Sequence, residues 1–245
     1  MNKASNDSLI GDMVHLVEQV RSEGCHVHSI TNTVAQNFTA NVLLACGATV
    51  SMTANPDEID AFMERAQTLH VNLGTLDETR VRAIHLAIAK AQTRHIPITL
   101  DPVMVHLSPI RKGLALEIAN KCTVLKSNTH EYEALSAALS NDVCVIETGA
   151  VDEITYKDMR LRIDNGTSML ATTIATGCAL GALIAAFSTK TDDVMLASAS
   201  ALLVYSIAGE LAAESSSGPG SFVPAFLDAL HTVSPQTLIT RAKLS

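Results

Sequence analysis

The 245-residue chain has few ring side chains and little glycine: it contains no Trp, 5 Phe, 3 Tyr and 12 Gly. Collagen-like and glycine-rich low-complexity architectures need far more glycine. Surfaces that bind single-stranded nucleic acid by stacking its bases need aromatic side chains at intervals. The net charge of −8 also disfavours nucleic acid, because its binding depends on clustered Lys and Arg. We therefore predict that nucleic acid is not a partner.

Five cysteines are scattered along the sequence without a CxxC pair. This pattern excludes a simple zinc ribbon and disfavours a disulfide framework. The first twenty residues lack the apolar core of a signal peptide, and polar residues interrupt the longest apolar runs, near 179–187 and 194–213. We predict a cytoplasmic protein that does not span a membrane.

Hydrophobic residues make up 47% of the chain, which is enough for a sizeable core. Their spacing predicts strands that alternate with helices as far as residue 146, as is typical of right-handed βαβ units and a mostly parallel sheet. No linker composition divides the chain, so we predict one α/β domain over residues 1–245. The predicted strands are 27–31, 48–52, 69–73, 97–100, 123–125 and 143–146, then a hairpin of 153–156 and 161–163. The predicted helices are 7–22, 34–46, one opening at Pro56, 77–93, 112–119, 130–139, 179–188, 192–214 and 221–231.

The strongest signal for chemistry is the stretch 175–178, Ala-Thr-Gly-Cys, a small-residue turn that leads into an apolar helix. The free backbone N–H groups at such a helix start form an anion site. The same field favours a thiolate, which makes Cys178 a candidate base or nucleophile. An ordinary Thr-capped helix with a small buried cysteine is the alternative.

Further polar residues follow predicted strands. The Asp101 carboxylate can hold Mg²⁺ or orient a hydroxyl, and it can equally cap the next turn. Asn128 and Glu131 have the spacing of a capping box, which we favour over a pair of ligands around a hydrated metal. Thr148 offers a hydroxyl to phosphate, unless its stretch is a plain turn. The sequence has no Walker A loop and no GxGxxG after the first strand, so any nucleotide would bind by another route.

Eight collinear segments, spread over roughly residues 8 to 231, follow one pattern. They are HSITN (28–32), NFTAN (37–41), LLACGA (43–48), NLGTL (72–76), LDPV (100–103), ATGCAL (175–180), AGELAAE (208–214) and GPGSF (218–222). Together they resemble the hydroxyethylthiazole kinase family of thiamine salvage. Several long motifs in the same order are far more specific than any one of them.

The resemblance implies a ribokinase-like fold, which is a three-layer αβα sandwich around a mostly parallel sheet. It also implies that the γ-phosphoryl group of ATP is transferred, with Mg²⁺, to the primary alcohol of 4-methyl-5-(2-hydroxyethyl)thiazole. The implied assembly is a homotrimer with sites at subunit interfaces. Two alternatives remain: a kinase of the same fold that acts on another small alcohol, and a non-catalytic trimeric thiazole-binding paralogue.

The same resemblance assigns roles to eleven residues. The catalytic base is Cys178; substrate-binding residues are Asn32, Met52, Ala175 and Gly177; ATP-binding residues are Lys126, Asn128, Thr148 and Thr176; and the carboxylates near magnesium are Asp101 and Glu131. Because aromatic residues are scarce, we expect any adenine to lie between aliphatic side chains.

The sequence departs from the family pattern at four places on the phosphate side. Residues 104–108 replace a Gly-x-Gly-Ala loop, and Lys126 replaces an arginine. Ala175 replaces a glycine, and its Cβ disfavours positive φ and could fill part of the pocket. The segment between Glu131 and Thr148 is shorter by about a helix and its connection. These departures predict that the nucleotide side of the site is remodelled.

Overall fold

Eight strands form one continuous sheet in the computed structural model, which describes residues 3–245, with side chains from residue 6 onward. The strand order is β2-β1-β3-β4-β5-β6-β7-β8. Strands β1 to β6 are parallel, and β7 and β8 add an antiparallel hairpin at one edge. This topology confirms the predicted mostly parallel sheet and the predicted hairpin. The strands are β1 (His26–Ile30), β2 (Thr49–Ser51), β3 (Thr68–Asn72), β4 (Ile98–Asp101), β5 (Val124–Asn128), β6 (Cys144–Thr148), β7 (Asp152–Tyr156) and β8 (Met159–Ile163).

The helices differ from the sequence prediction mainly at their ends. Helix α3 begins at Ile59, three residues after Pro56, because residues 56–58 form a turn. Two short helices, α7 and α11, lie where the sequence predicts none. In the described residues the helices are α1 (Lys3–Glu23), α2 (Gln36–Ala45), α3 (Ile59–Met63), α4 (Glu78–Thr93), α5 (Pro109–Ile118), α6 (Thr129–Leu135), α7 (Ser168–Thr172), α8 (Thr176–Phe187), α9 (Val194–Ser215), α10 (Pro219–Thr232) and α11 (Pro235–Arg241).

Hydrophobic cores lie on both faces of the sheet. On one face, apolar residues of α1, α2, α8, α9 and α10 pack together with side chains from β1 and β5 to β8. On the other face, α3, α4 and α5 pack against β3 and β4. All five residues of β3 are buried, as expected for a parallel strand that is covered on both sides. This arrangement confirms the predicted three-layer αβα sandwich.

Helix α9 is the one helix in the described part of the chain that is long and apolar enough to cross a membrane. Inside the protein, 78% of its most apolar stretch is buried. It packs against α1, α8 and α10. A core helix of a globular protein passes the same test of length and composition, and burial accounts for the apolar character of α9.

Two connections at the carboxyl edge of the sheet have backbone conformations that favour glycine. Met104, just after β4, has φ 59°, and Ala175, which precedes α8, has φ 72°. The resemblance implies glycine at both positions. The structure therefore keeps a glycine-like backbone with a Cβ present, which corrects the expectation that Ala175 would avoid positive φ. For a residue with a Cβ, this conformation costs about 1–2 kcal/mol.

We predict that Ala175→Gly stabilises the protein. The substitution relieves the left-handed strain, and the greater freedom of glycine in the unfolded chain offsets part of the gain. The free energy of unfolding should rise by about 0.5–1 kcal/mol, measured by urea denaturation. The matched control is Ala89→Gly, on the exposed face of α4, which should lower it by about 0.5–1 kcal/mol. A loss of stability in Ala175→Gly would contradict the strain.

Candidate active site

Polar residues end four neighbouring strands. Asn72 ends β3, Asp101 ends β4, Asn128 ends β5 and Thr148 ends β6. Because these strands are parallel, the four residues share the carboxyl edge of the sheet, where open α/β sheets bind ligands. Helix α8 crosses β1, β3 and β4, and Cys178 lies in its first turn.

A cavity of about 750 Å³ opens at this edge, between strands β4 to β6 and the start of α8. It brings together nine of the eleven residues that the resemblance assigns to the site. They are Asp101, Lys126, Asn128, Glu131, Thr148, Ala175, Thr176, Gly177 and Cys178.

The two remaining residues, Asn32 and Met52, do not line this cavity. Asn32 follows β1 and is buried, and its Nδ2 donates a hydrogen bond to Sγ of Cys178 at 3.2 Å. Met52 follows the edge strand β2 and is half-buried. Within the chain, Asn32 therefore connects to the cavity, and Met52 lies apart from it.

Asn72 is a residue that the sequence analysis does not assign to the site. Its Oδ1 accepts a hydrogen bond from Nδ2 of Asn32 at 3.1 Å, and its Nδ2 donates to Oδ2 of Asp101 at 2.6 Å. Asn72 thus links the Asn32–Cys178 contact to the carboxylate. The available signal was its place as the first residue of the NLGTL segment, at the end of a buried strand.

A buried ion pair joins the end of β4 to the middle of β5. Nζ of Lys126 is 3.5 Å from Oδ1 of Asp101, and the two residues are 5% and 1% exposed. Burial raises the pKa of Asp101 to about 6, although the Lys126 ammonium opposes the rise. Burial lowers the pKa of Lys126, but Asp101, Glu131 and Cys178 together raise it above its usual value. Lys126 is therefore a fixed positive charge in the cavity.

Lys126 also reaches the start of α8. A Cβ on Gly177 would lie 3.3 Å from Nζ of Lys126, closer than most real Cβ contacts. Glycine at this position therefore lets the ammonium approach the helix terminus. The cation and the free N–H groups of the helix consequently face the same space, which suits an anionic group.

Glu131 forms the capping box predicted for the start of α6. Asn128 Oδ1 accepts the N–H of Glu131 at 2.9 Å, and Glu131 Oε2 accepts the N–H of Asn128 at 3.0 Å. Glu131 Oε1 accepts the N–H of Met104 at 2.8 Å. The carboxylate therefore joins the loop after β4 to the start of α6, and its metal role stays a prediction.

The Cys178 thiol is not the activated thiolate that the helix terminus alone predicts. Burial and the nearby Asp101 carboxylate raise its pKa to about 11, although Lys126 and the hydrogen bond from Asn32 act in the opposite direction. At neutral pH, Cys178 is therefore a protonated thiol. Sequence spacing places the residue in the first turn, but it contains no information on the carboxylate that opposes ionisation.

The far wall of the cavity is the turn between β6 and β7. The Thr148 hydroxyl donates to the carbonyl oxygen of Ser127 at 3.1 Å. Asp152, which the sequence analysis does not assign, lines the cavity and accepts the N–H of Gly149 at 3.0 Å. Burial raises the pKa of Asp152 to about 6. An acid directly after a Gly-containing turn was its available signal.

Thr176 contributes mainly backbone to the cavity. Its hydroxyl donates to the carbonyl oxygen of Thr173 at 3.0 Å, and its own carbonyl oxygen accepts the Tyr205 hydroxyl at 2.7 Å. The rest of the apolar lining is mostly aliphatic and includes Leu170 and Leu180.

Comparison with known proteins identifies the same family throughout. The model of the hydroxyethylthiazole kinase family matches residues 17–140 and 132–236. A probable hydroxyethylthiazole kinase of Agrobacterium fabrum is 41% identical over 230 residues, which cover 94% of this chain and 93% of that protein. The hydroxyethylthiazole kinase of Pectobacterium atrosepticum is 34% identical, with coverage of 97% and 100%.

Solved structures give the same result for the fold. The hydroxyethylthiazole kinase protein from Pyrococcus horikoshii OT3 has a TM-score of 0.90 at 32% identity, with 95% of this chain and 98% of that chain covered. A ribokinase-like superfamily protein from Enterococcus faecalis V583 has a TM-score of 0.62 at 15% identity and covers 84% and 86%. The second likeness concerns the fold alone.

The segment between Glu131 and Thr148 is also the place where the family match divides, because its two parts overlap at residues 132–140. The Pectobacterium alignment spans 263 positions, more than the 245 residues of this chain, so that relative has segments that this chain lacks. The Agrobacterium alignment spans 230 positions and covers 94% of the chain, which leaves almost no gaps. The short segment is thus shared with a relative. By sequence and structure alike, the chain belongs to the hydroxyethylthiazole kinase family.

Proposed function

We propose that this chain transfers the γ-phosphoryl group of ATP to the primary alcohol of 4-methyl-5-(2-hydroxyethyl)thiazole, as a single cytoplasmic kinase domain of thiamine salvage. The observation that carries the proposal is the convergence of Asp101, Lys126 and the start of α8 on one cavity that also contains Cys178. A cation, a carboxylate and free helix N–H groups at one point suit the charge of a transferring phosphoryl group.

The chain supplies two fixed positive elements for that charge. One is the ammonium of Lys126, which is buried and held by Asp101. The other is the set of backbone N–H groups at residues 176–178, which lack partners within the helix. Because both are in place before substrate binds, little reorganisation is needed when negative charge develops on the phosphoryl oxygens.

Asp101 is the residue best placed to hold Mg²⁺. No group of three or more His, Cys, Asp or Glu side chains among the described residues is arranged to hold a metal. Mg²⁺ with ATP does not need such a cage, because one or two carboxylates, the phosphates and water complete its coordination. Asp101 fits as the carboxylate, with Glu131 beside it. When bound, Mg²⁺ would neutralise phosphate charge and orient the phosphates.

The acceptor alcohol is placed next to Cys178 in this proposal. The thiol is held by Asn32, which is in turn held by Asn72, so Sγ has a defined position. Because phosphoryl transfer needs little covalent assistance, the thiol can orient the hydroxyl by a hydrogen bond, and the small thiolate fraction can accept its proton late in the reaction.

The adenine side of ATP fits between the turn at residues 148–152 and the loop that follows β8. Both elements line the cavity, and the apolar side chains there include Leu170 and Leu180. The one ring in the lining, Tyr205, has its hydroxyl bonded to the Thr176 carbonyl. This lining supports an adenine held by aliphatic contacts rather than by stacking on a ring.

A homotrimer would complete the thiazole side. Met52 lies apart from the cavity of its own subunit. Apolar side chains are exposed near Asn32 and β2: Val34 is 58% exposed, and Phe62, which stacks on His28, is 38% exposed. Solvent-exposed apolar groups beside an incomplete pocket support an interface between subunits at this place.

The direct test is a coupled ADP-release assay with hydroxyethylthiazole and MgATP. We expect turnover by the natural chain and a loss of kcat of about 100-fold or more in Asp101→Asn, because the carboxylate beside the phosphates is removed. The matched control is Glu147→Gln. This carboxylate, at the end of β6, accepts the Thr129 hydroxyl outside the cavity lining, and its loss should leave kcat within about twofold.

Two outcomes would support the alternatives. Thiazole binding by calorimetry without any turnover would contradict the kinase and favour a binding paralogue. Turnover of another small alcohol at a much higher kcat/KM would favour a kinase of different specificity.

The pH dependence of kcat tests the role of Cys178. With a pKa near 11, the thiolate fraction rises about tenfold per pH unit between pH 7 and 9, so the natural chain should show log kcat rising with a slope approaching one. Cys178→Ala lacks the titrating group and should show a lower, flat profile over the same range. Parallel profiles in the two proteins would exclude Cys178 as the base.

The trimer is tested by light scattering. We expect a mass of about three times 25.9 kDa for the natural chain. Val34→Asp should lower this mass and raise KM for the thiazole, because a charge is costly inside an apolar interface. Ile110→Asp is the matched control: Ile110, on α5, is 78% exposed, and the mass should not change. A fully active species of 25.9 kDa would contradict the assembly.

A further inference from the structure

The loop that follows β8 forms one wall of the cavity. Residues 165–168, which we name the cavity lip, all line it, and α7 begins within them at Ser168. The loop has little regular structure of its own. Its position therefore depends on the hydrogen bonds that it makes on the side away from the cavity.

Asn165 is the residue that holds the lip. It is 3% exposed, and its side chain makes three hydrogen bonds. Nδ2 donates to Oε1 of Glu210 at 3.0 Å and to the carbonyl oxygen of Arg241 at 2.9 Å, and Oδ1 accepts the N–H of Lys243 at 2.8 Å. Both ends of the amide are thus used, and two of the three partners belong to the C-terminal segment (residues 241–245).

Glu210 on α9 is the second anchor. Its Oε1 also accepts the N–H of Gly166 at 3.1 Å, and it lies 3.2 Å from Nζ of Lys243. The preceding residue, Gly209, allows α7 to approach, because a Cβ there would lie 2.9 Å from Cδ1 of Leu170. Two consecutive residues of the AGELAAE segment therefore support the lip, although neither residue lines the cavity.

The C-terminal segment is fixed to the edge of the sheet. The N–H of Arg162 donates to the carbonyl oxygen of Ser245 at 3.0 Å, and the reverse bond is 3.1 Å. The N–H of Asp164 donates to the carbonyl oxygen of Lys243 at 2.9 Å. The Arg241 guanidinium pairs with both carboxylate oxygens of Glu214, at 2.6 and 3.0 Å. The segment lies beyond residue 236, where the family match ends.

We propose that Asn165 and Glu210 are positioning residues for the nucleotide. The C-terminal segment acts through them to hold the cavity lip in the position in which it contacts bound ATP. The inference rests on the proposed function, since it assigns this cavity to ATP. A lip that is ordered beforehand does not have to be ordered when ATP binds, which improves affinity.

The position of the lip predicts that its anchoring residues affect the binding of ATP but not the binding of the acceptor alcohol. Asn165 and Glu210 have no hydrogen bond to Asp101, Lys126 or Cys178 among the described contacts. Their loss should therefore affect the binding of ATP and leave the acceptor and the chemical step largely unchanged.

The first experiment compares steady-state kinetics and calorimetric ADP binding in the natural chain, Asn165→Ala and a chain truncated after Ala242. We expect KM for ATP and Kd for ADP to rise about five- to tenfold in both variants, with kcat and KM for the thiazole within about twofold. The truncation leaves the buried Asn165 in place, so it stays informative if Asn165→Ala folds poorly. Equal rises in both KM values, or unchanged KM and Kd in both variants, would overturn the inference.

The second experiment exchanges donor and acceptor. Asn165→Asp alone places a carboxylate against Glu210 and should weaken ADP binding at least as much as Asn165→Ala. Combined with Glu210→Gln, it restores a hydrogen bond between positions 165 and 210 with reversed direction, and at least half of the lost affinity should return. A double variant no better than Asn165→Asp would contradict the assigned contact.

The matched control is Glu64→Gln, which weakens an exposed ion pair with Lys90 of α4, outside the cavity lining and the C-terminal segment, and Kd for ADP should stay within about twofold. The readouts also separate the two proposals. If the natural chain is an active kinase and the variants show no ATP-specific effect, only this inference fails. If the natural chain neither binds ADP nor turns over, the proposed function fails with it.

Discussion

The buried pair of Asp101 and Lys126 is the contact on which the rest of the site depends. In an environment with little water, either charge alone would be costly, and removing one partner of such a pair typically destabilises a protein by about 3–5 kcal/mol. The pair joins the end of β4 to β5, and Asp101 holds Asn72 at the end of β3. Lys126 in turn approaches the start of α8, where Gly177 leaves room for its ammonium. The position of one carboxylate thus fixes the ends of three strands and the approach of one helix.

This arrangement is better suited to stabilising negative charge in the cavity than to supplying a reactive nucleophile. The cation and the helix N–H groups are fixed, whereas the thiol of Cys178 is protonated because burial, and then the same Asp101 that anchors Lys126, oppose its ionisation. An enzyme of acyl transfer would need an activated nucleophile in that position. Phosphoryl transfer depends mainly on positioning and on charge neutralisation, and the geometry of this cavity is consistent with that requirement.

The sequence predicts the parallel sheet well, because buried strands and amphipathic helices each leave a clear hydrophobic period. It does not predict that β5 continues through Lys126 to Asn128, since the polar residues Lys126 and Ser127 are buried by tertiary contacts that no local pattern records. Helices α7 and α11 are too short for their periodicity to be recognised. At the site, the family resemblance assigned the nine residues that share one cavity, and strand ends and the helix start indicated most of them independently. The pKa of Cys178 and the role of Asn72 depended on partners far away in the sequence.

The C-terminal segment also changes what the sheet presents to other molecules. A sheet with two free edges offers unpaired backbone groups on which another chain can add a strand. Here residues 243–245 occupy backbone donors and acceptors along β8, and the opposite edge is β2, a strand of only three residues. Neither edge of this eight-stranded sheet therefore offers a long free template for strand addition. The pairing of residues 243–245 therefore covers one edge of the sheet, in addition to the contact of Lys243 with Asn165.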